Sequence, residues 1–227
     1  MFIASFPTGP WQANCHILAN ATGDDAPAVV IDCGVAAAGA VTSVLQEHGL
    51  RLAAVVATHG HLDHIGDSAA LANLHRVPMY LHPDEMFMLT APAAGLGPGS
   101  EPLVAQVMGS LTLPAPDDLR HLVDGRGFTE AGIDFEVFHL PGHSPGCVNL
   151  RIMVDGTPIV FTGDVLFAGS MGRVDLPGGD LATMRGSLRR IVETYSPQTS
   201  ILPGHGPATT MAHELATNPY LDKEALA

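Results

Sequence analysis

Thr58-His59-Gly60-His61-Leu62-Asp63-His64 is the stretch on which the fold turns. Its last six residues hold three imidazoles and one carboxylate. Histidine is the commonest metal ligand among side chains. A carboxylate beside imidazoles suits zinc, iron or manganese better than a soft thiolate cluster does. The stretch follows an apolar run, Leu52-Ala53-Ala54-Val55-Val56-Ala57, that reads as a buried strand. Ligands at the end of such a strand stand on a rigid base.

The arrangement recurs downstream at Pro141-Gly142-His143, Thr162-Gly163-Asp164 and Pro203-Gly204-His205. Taken singly these signals are weak, because a histidine after a strand is more often a hydrogen-bonded loop residue and Gly-Asp is usually a turn. The repetition carries the weight. Strand ends on one rim of a sheet sandwich converge on one point. Two metal ions would absorb His59, His61, Asp63, His64, His143, Asp164 and His205, and a two-metal site needs one bridging carboxylate.

Residues 2–6 and 14–19 read as strands joined by a Pro/Gly turn at 7–10. Val29-Val30-Ile31 is a short buried strand ending in Asp32. The spacing of Val41, Val44 and Leu45 predicts a helix over 38–48, closed by Gly49. A helix over 66–76 and a strand at 78–82 follow. Prolines and glycines crowd residues 90–118, which predicts a long loop with at most a short helix near 103–110, either a substrate lid or a surface insertion. Strands return around 133–138, 148–154 and 158–161, with Asp155-Gly156 as a hairpin turn. A helix over 180–195 has Asp180 as N-cap and Met184, Leu188 and Ile191 on its apolar face. Ser200-Ile201-Leu202 is a last strand, and a short helix lies near 209–217. This order predicts an α/β protein of two similar halves, each a sheet with helices on one face, packed sheet to sheet as one domain over 1–227.

With 46% hydrophobic and 15% charged residues among 227, the composition is globular and not disordered. A net charge of −13 repels phosphate backbones and disfavours nucleic acid as a partner. An anionic small molecule stays compatible, because a bound cation can dominate the local field. Cys15, Cys33 and Cys147 form no CxxC pair and read as reduced, buried thiols. Met1 to Phe6 lack the basic and apolar segments of a signal peptide. No apolar run approaches the roughly 20 residues that span a bilayer. The expectation is a cytoplasmic protein without membrane attachment, acting on a small molecule as a monomer or homodimer.

The stretch His59-Gly60-His61-Leu62-Asp63-His64 resembles the HxHxDH signature of the metallo-β-lactamase superfamily, with His143, Asp164 and His205 following in that family's order. The resemblance implies an αββα sandwich of two mixed β-sheets. It assigns one metal to His59, His61, His143 and Asp164, and the other to Asp63, His64, Asp164 and His205, with Asp164 bridging. The ions are expected to be zinc, with iron or manganese as alternatives. The loop from Thr162 to Asp180, the stretch Pro203 to Thr210 and the pair Asn14-Cys15 are similar to the short bacterial glyoxalase II-like hydrolases. That implies thioesterase activity on S-(2-hydroxyacyl)glutathione or a related acyl-thiol. Leu215 stands where relatives often place a basic residue, and the basic C-terminal helical region of the longer eukaryotic-type glyoxalase II enzymes is not expected here, which leaves the thiol carrier open.

In this scheme Asp63 and Asp164 are the catalytic carboxylates, and Asp63 orients the hydroxide or accepts its proton. Thr58, Thr162 and Asp32 are candidates to hold the outer nitrogens of the imidazoles. Arg173 is either a site for a substrate carboxylate or an ion-pair partner of Asp175. His16, His48, His75, His82, His121, His139 and His213 lack motif context and read as structural or solvent-facing. Two rivals share the same residues. One is a mononuclear iron persulfide dioxygenase using His59, His143 and Asp164. The other is a further hydrolase of this fold, such as a lactonase.

Overall fold

Period-two burial on both faces of the central strands produces the layering. In β3 (Ala26–Ile31), Ala28 and Val30 face one hydrophobic cluster, while Val29 and Ile31 face another. In β4 (Leu50–Val56), Val55 turns one way and Ala54 and Val56 the other. A strand whose successive side chains are all apolar must be covered twice. The computed structural model, which describes residues 1–226, covers it with helices outside and a second sheet inside.

The first sheet runs β1 (Phe2–Thr8), β2 (Ala13–Ala19), β3, β4, β5 (Met79–Leu81) and β6 (Leu119–His121) in spatial order. It is antiparallel through β3 and parallel from β3 to β6. The second sheet contains β7 (Phe128–Glu130), β8 (Ile133–His139), β9 (Val148–Val154) and β10 (Thr157–Gly163). A small hairpin of β11 (Leu166–Phe167) and β12 (Ser170–Met171) follows. Strand β13 (Ser200–Pro203) then pairs parallel to β10, with β14 (Thr209–Thr210) at the edge.

Three apolar layers separate four structural ones. Helices α1 (Ala38–Glu47), α3 (Ser68–His75) and α6 (Glu101–Met108) cover the outer face of the first sheet. Phe135, Val137, Leu150 and Phe161 meet Leu18, Ile31 and Val56 between the sheets. Helix α7 (Leu181–Thr194) lays Met184, Leu188 and Ile191 on Val160 and Ile201 of the second sheet. Each such side chain contributes about 1.5–3 kcal/mol by leaving water. The order is helix, sheet, sheet, helix, as the element pattern predicts. Among the described residues no helix is long and apolar enough to cross a membrane.

The 90–118 segment differs from the predicted loop. It carries α5 (Ala93–Leu96) as well as α6, next to α4 (Met86–Leu89), and Val104 is fully buried. Two of its prolines occupy helix starts: Pro92 precedes α5 and Pro102 lies in the first turn of α6, where a missing N–H costs nothing. Helix α8 (Met211–Thr217) is capped by the Thr210 hydroxyl, which accepts from His213 N–H. The three cysteines are buried and form no disulfide.

Candidate metal centre

Every sequence-predicted site group sits beyond the C-terminal end of a strand. Strand β4 leads to His59, His61, Asp63 and His64, the last two on the one-turn helix α2 (Leu62–Ile65). His143 follows β8, Asp164 follows β10 and His205 follows β13. Because these strands lie in two facing sheets, their ends form one rim, and the seven groups meet there. His59, His61 and His143 bring three ring nitrogens within 4.8 Å of one another, and so do the donor atoms of Asp63, His64 and His205. Asp164 stands between the two sets. Its Oδ2 is 3.5 Å from His143 Nε2 and 3.5 Å from His205 Nε2, and its Oδ1 is 3.3 Å from His64 Nε2. His205 Nε2 is 3.2 Å from Asp63 Oδ2.

Donors about 2.0–2.2 Å from a tetrahedral ion lie about 3.4 Å from each other. The separations here fit that spacing. A second observation supports the fit. Buried polar groups are almost always hydrogen-bonded, yet His59 Nε2, His61 Nε2 and Asp164 Oδ1 are buried without a hydrogen-bond partner among the described residues. His61 Nδ1 and His143 Nε2 face each other at 2.8 Å. Because His143 Nδ1 donates to Arg173 O, its Nε2 carries a lone pair that a cation would satisfy.

The charges suit an ion at His59, His61 and Asp164, while those around His64 favour its protonated form. Burial pushes the His61 imidazole down to about 3, helped by His143, so it stays neutral. Burial, with His64 and His61 beside it, holds His59 well below its ordinary value. Burial also disfavours the charged form of His64, but Asp164, Asp63 and Asp32 outweigh it and raise that group. For Asp164 burial acts upward, and His64, His143 and His205 override it and hold the carboxyl far below the usual range. Neutral imidazole and ionised carboxylate are the forms that bind metal, so His59, His61 and Asp164 are ready for an ion, whereas an ion at His64 has to displace a proton.

The imidazoles are held from behind. Asp32, fully buried, accepts from Thr58 N–H at 2.7 Å, from Thr58 Oγ1 at 2.8 Å and from His64 Nδ1 at 3.0 Å. Three donors offset the several kcal/mol that an unpaired buried carboxylate costs. To reach them Asp32 adopts a left-handed backbone, φ 56°, uncommon for a non-glycine residue. Thr58 Oγ1 also lies 3.1 Å from His59 Nδ1. Thr162, the third candidate, turns away and donates to Leu166 O. His143 Nδ1 donates to the carbonyl of Arg173 at 2.7 Å. Asn14 ties the His205 loop to β2, donating from its side chain to Pro203 O and Gly206 O, both at 2.9 Å. Gly204 passes so close that a Cβ there would overlap Asp164 Oδ1.

Above the carboxylates lies a cavity of about 330 Å³ lined by His61, Asp63, His143, Asp164 and His205, with Trp11, Leu96, Phe167 and Leu176 as apolar walls. Arg173 stands at its edge, but its exposed guanidinium is engaged by Asp175 through two 2.7 Å bonds. Of the two readings of Arg173, the structure displays the ion pair. The walls escaped sequence reasoning, because Trp11 comes from the β1–β2 turn and Leu96 from the 90–118 segment. Of the histidines without motif context, His82 and His139 approach Asp84. Their rings stack at 4.1 Å and 15°, so their lone pairs run parallel and do not converge on an ion.

A model described as the metallo-beta-lactamase superfamily matches residues 8–205. The chain belongs to this superfamily. Among superfamily structures, the BLEG-1 B3 metallo-beta-lactamase superposes with a TM-score of 0.81 at 35% identity, over 97% of this chain and 99% of that one. TTHA1623, solved in a di-iron-bound form, gives a TM-score of 0.74 at 38% identity over 96% and 100%. The hydroxyacylglutathione hydrolase GloC of Haemophilus influenzae is 32% identical over 99% of this chain and 100% of its own length. The fold is thus the αββα sandwich of the metallo-β-lactamases, and the chain is a metallo-hydrolase superfamily member.

Proposed function

We propose that this protein is a dinuclear metal-dependent thioesterase that hydrolyses acyl-thiols of the S-(2-hydroxyacyl)glutathione type. The convergence of seven donor groups on one rim, with buried donors lacking any hydrogen-bond partner, carries this reading. A one-iron triad of His59, His143 and Asp164 would leave Asp63, His64 and His205 grouped to no purpose. Similarity to GloC over the full length supports the substrate class. His59, His61 and His143 would hold one divalent ion and Asp63, His64 and His205 the other, with Asp164 shared. Zinc heads the choice, and iron or manganese fits the same donors. Bound there, such a pair supplies hydroxide from water near neutral pH and polarises the acyl oxygen.

The chain's own residues do the rest. Asp63 faces the cavity and can accept a proton from the attacking water. The walls Trp11, Leu96, Phe167 and Leu176 exclude solvent from the acyl group and orient it over the carboxylates. A thiol of pKa about 8.5 leaves as thiolate without acid assistance. Asp175 engages Arg173 through Nε and Nη2 and leaves the Nη1 hydrogens available, so a substrate carboxylate can bind beside that exposed ion pair.

The test is hydrolysis of S-lactoylglutathione and a series of acyl-thiols by metal-quantified protein. Asp164→Ala should lower kcat/KM by at least about 10³-fold, or about 4 kcal/mol, and release most of the metal. Full activity in that variant rules out the shared carboxylate.

A further inference from the structure

Glu85 lies outside every motif, yet it is fully buried against the candidate centre. It ends a 3-10 turn, Pro83–Glu85, just after β5. Its Oε2 accepts from Gly60 N–H at 2.6 Å, and Gly60 is the residue between His59 and His61. Its Oε1 accepts from Ser144 Oγ at 2.8 Å and from Gly146 N–H, both in the loop that carries His143. One carboxylate therefore joins two loops that are 59 to 61 residues away from, or 25 residues before, its own position. Both loops are trimmed to admit it. A Cβ at Gly60 would come 2.8 Å from Glu85 Oε2, and one at Gly146 would come 2.7 Å from Glu85 Cγ. The segment that follows adds a brace, since Gly95 lies so near the His61 ring that a Cβ would sit 3.0 Å from its Cδ2.

A buried N–H left without an acceptor is destabilising. Gly60 and Gly146 both point N–H groups into this space, so an anion accepting from both sides fixes the gap between the loops. That gap sets the distance between the His59–His61 pair and His143. We propose that Glu85 is a positioning residue that clamps these two loops together and thereby sets the affinity of the His59–His61–His143 half-site for its ion. The inference rests on the dinuclear reading above. Glu85 touches neither the donor nitrogens nor the cavity, and it acts through the backbone. Partners of this kind behind metal ligands are worth about 10- to 100-fold in affinity.

Glu85→Gln keeps the shape, but its amide sets a donor against a backbone donor. The experiment titrates the whole metal-free protein with Zn²⁺ against a competing chelator, with His59→Ala and His205→Ala marking which ion is which. The expected result is a 10- to 100-fold loss at the ion that His59→Ala removes, with the other ion unchanged. Ser144→Ala, which removes one of three donors and leaves the carboxylate, should weaken the same ion by a smaller factor and stands in if Glu85→Gln does not fold. Unchanged zinc affinity with only a lower urea midpoint would overturn the clamp, as would equal weakening of both ions. If the unaltered protein binds fewer than two Zn²⁺, the dinuclear reading fails. If it binds two and both variants match it, the clamp alone fails.

Discussion

The two proposed half-sites are built from similar residues and are held in different ways. His59, His61 and His143 are all buried, and their nearest carboxylate donor is the shared Asp164. Behind them Thr58, the Arg173 carbonyl and Glu85 act on rings or loops. Asp63 and His205 are open to the cavity, with side chains 20% and 27% exposed, and only His64 is fully enclosed. This second group carries its own carboxylate and rests on Asp32 and Asn14. The difference teaches that one position is set by enclosure and the other by charge. The enclosed position should hold its ion more firmly, and the open one should exchange.

Removing one donor from each side gives the largest contrast. His59→Ala should cost at least about 100-fold in zinc affinity at the enclosed position and leave its partner groups unpaired. His205→Ala should leave one tightly held ion, with kcat/KM falling while zinc content drops by only half. Inductively coupled plasma analysis of dialysed protein checks both. Two ions retained after dialysis of His205→Ala would erase the distinction.

Acid provides the next contrast. Below the open position His16 is buried, with Nδ1 against Ser5 Oγ at 2.8 Å. Burial pushes it from 6.5 to about 4 in the folded chain. The unfolded chain therefore binds the extra proton between these values, and stability present above pH 6.5 is lost as pH falls toward 4, by about 3 kcal/mol. Urea midpoints of metal-free protein should fall less over this window in His16→Asn than in the unaltered chain. Parallel curves would remove His16 from the account.

The smallest effect concerns the support of His64. Asp32→Asn keeps the shape and weakens the charge-assisted bond to His64 Nδ1. Zinc affinity at the open position should fall about 10-fold, with the enclosed position unchanged. Equal loss at both positions would show that Asp32 supports the rim as a whole, through Thr58.

Much of this organisation is local, and local features are legible in a chain. Consecutive apolar residues in β3 and β4 require two covers, and the order of strands and helices along the chain predicts the sheet-on-sheet sandwich. The seven donor groups each follow a strand, so their meeting on one rim follows from the strands being parallel and facing. The helices of 90–118 were harder to read. Proline marks a helix start as readily as a loop, and burial of Val104 decides between them. Thr162 had the same standing as Thr58 in sequence, and only the direction of its hydroxyl separates them. Trp11, Leu96 and Glu85 carry no spacing signal at all. Their roles come from contacts made across tens of residues, and the sequence holds no period for such contacts. The chain by itself determined which groups could bind metal and in what order they occur. Only the tertiary structure decided which loops are clamped, which donors are enclosed and which side chains wall the cavity, because those depend on where distant strand ends come to rest.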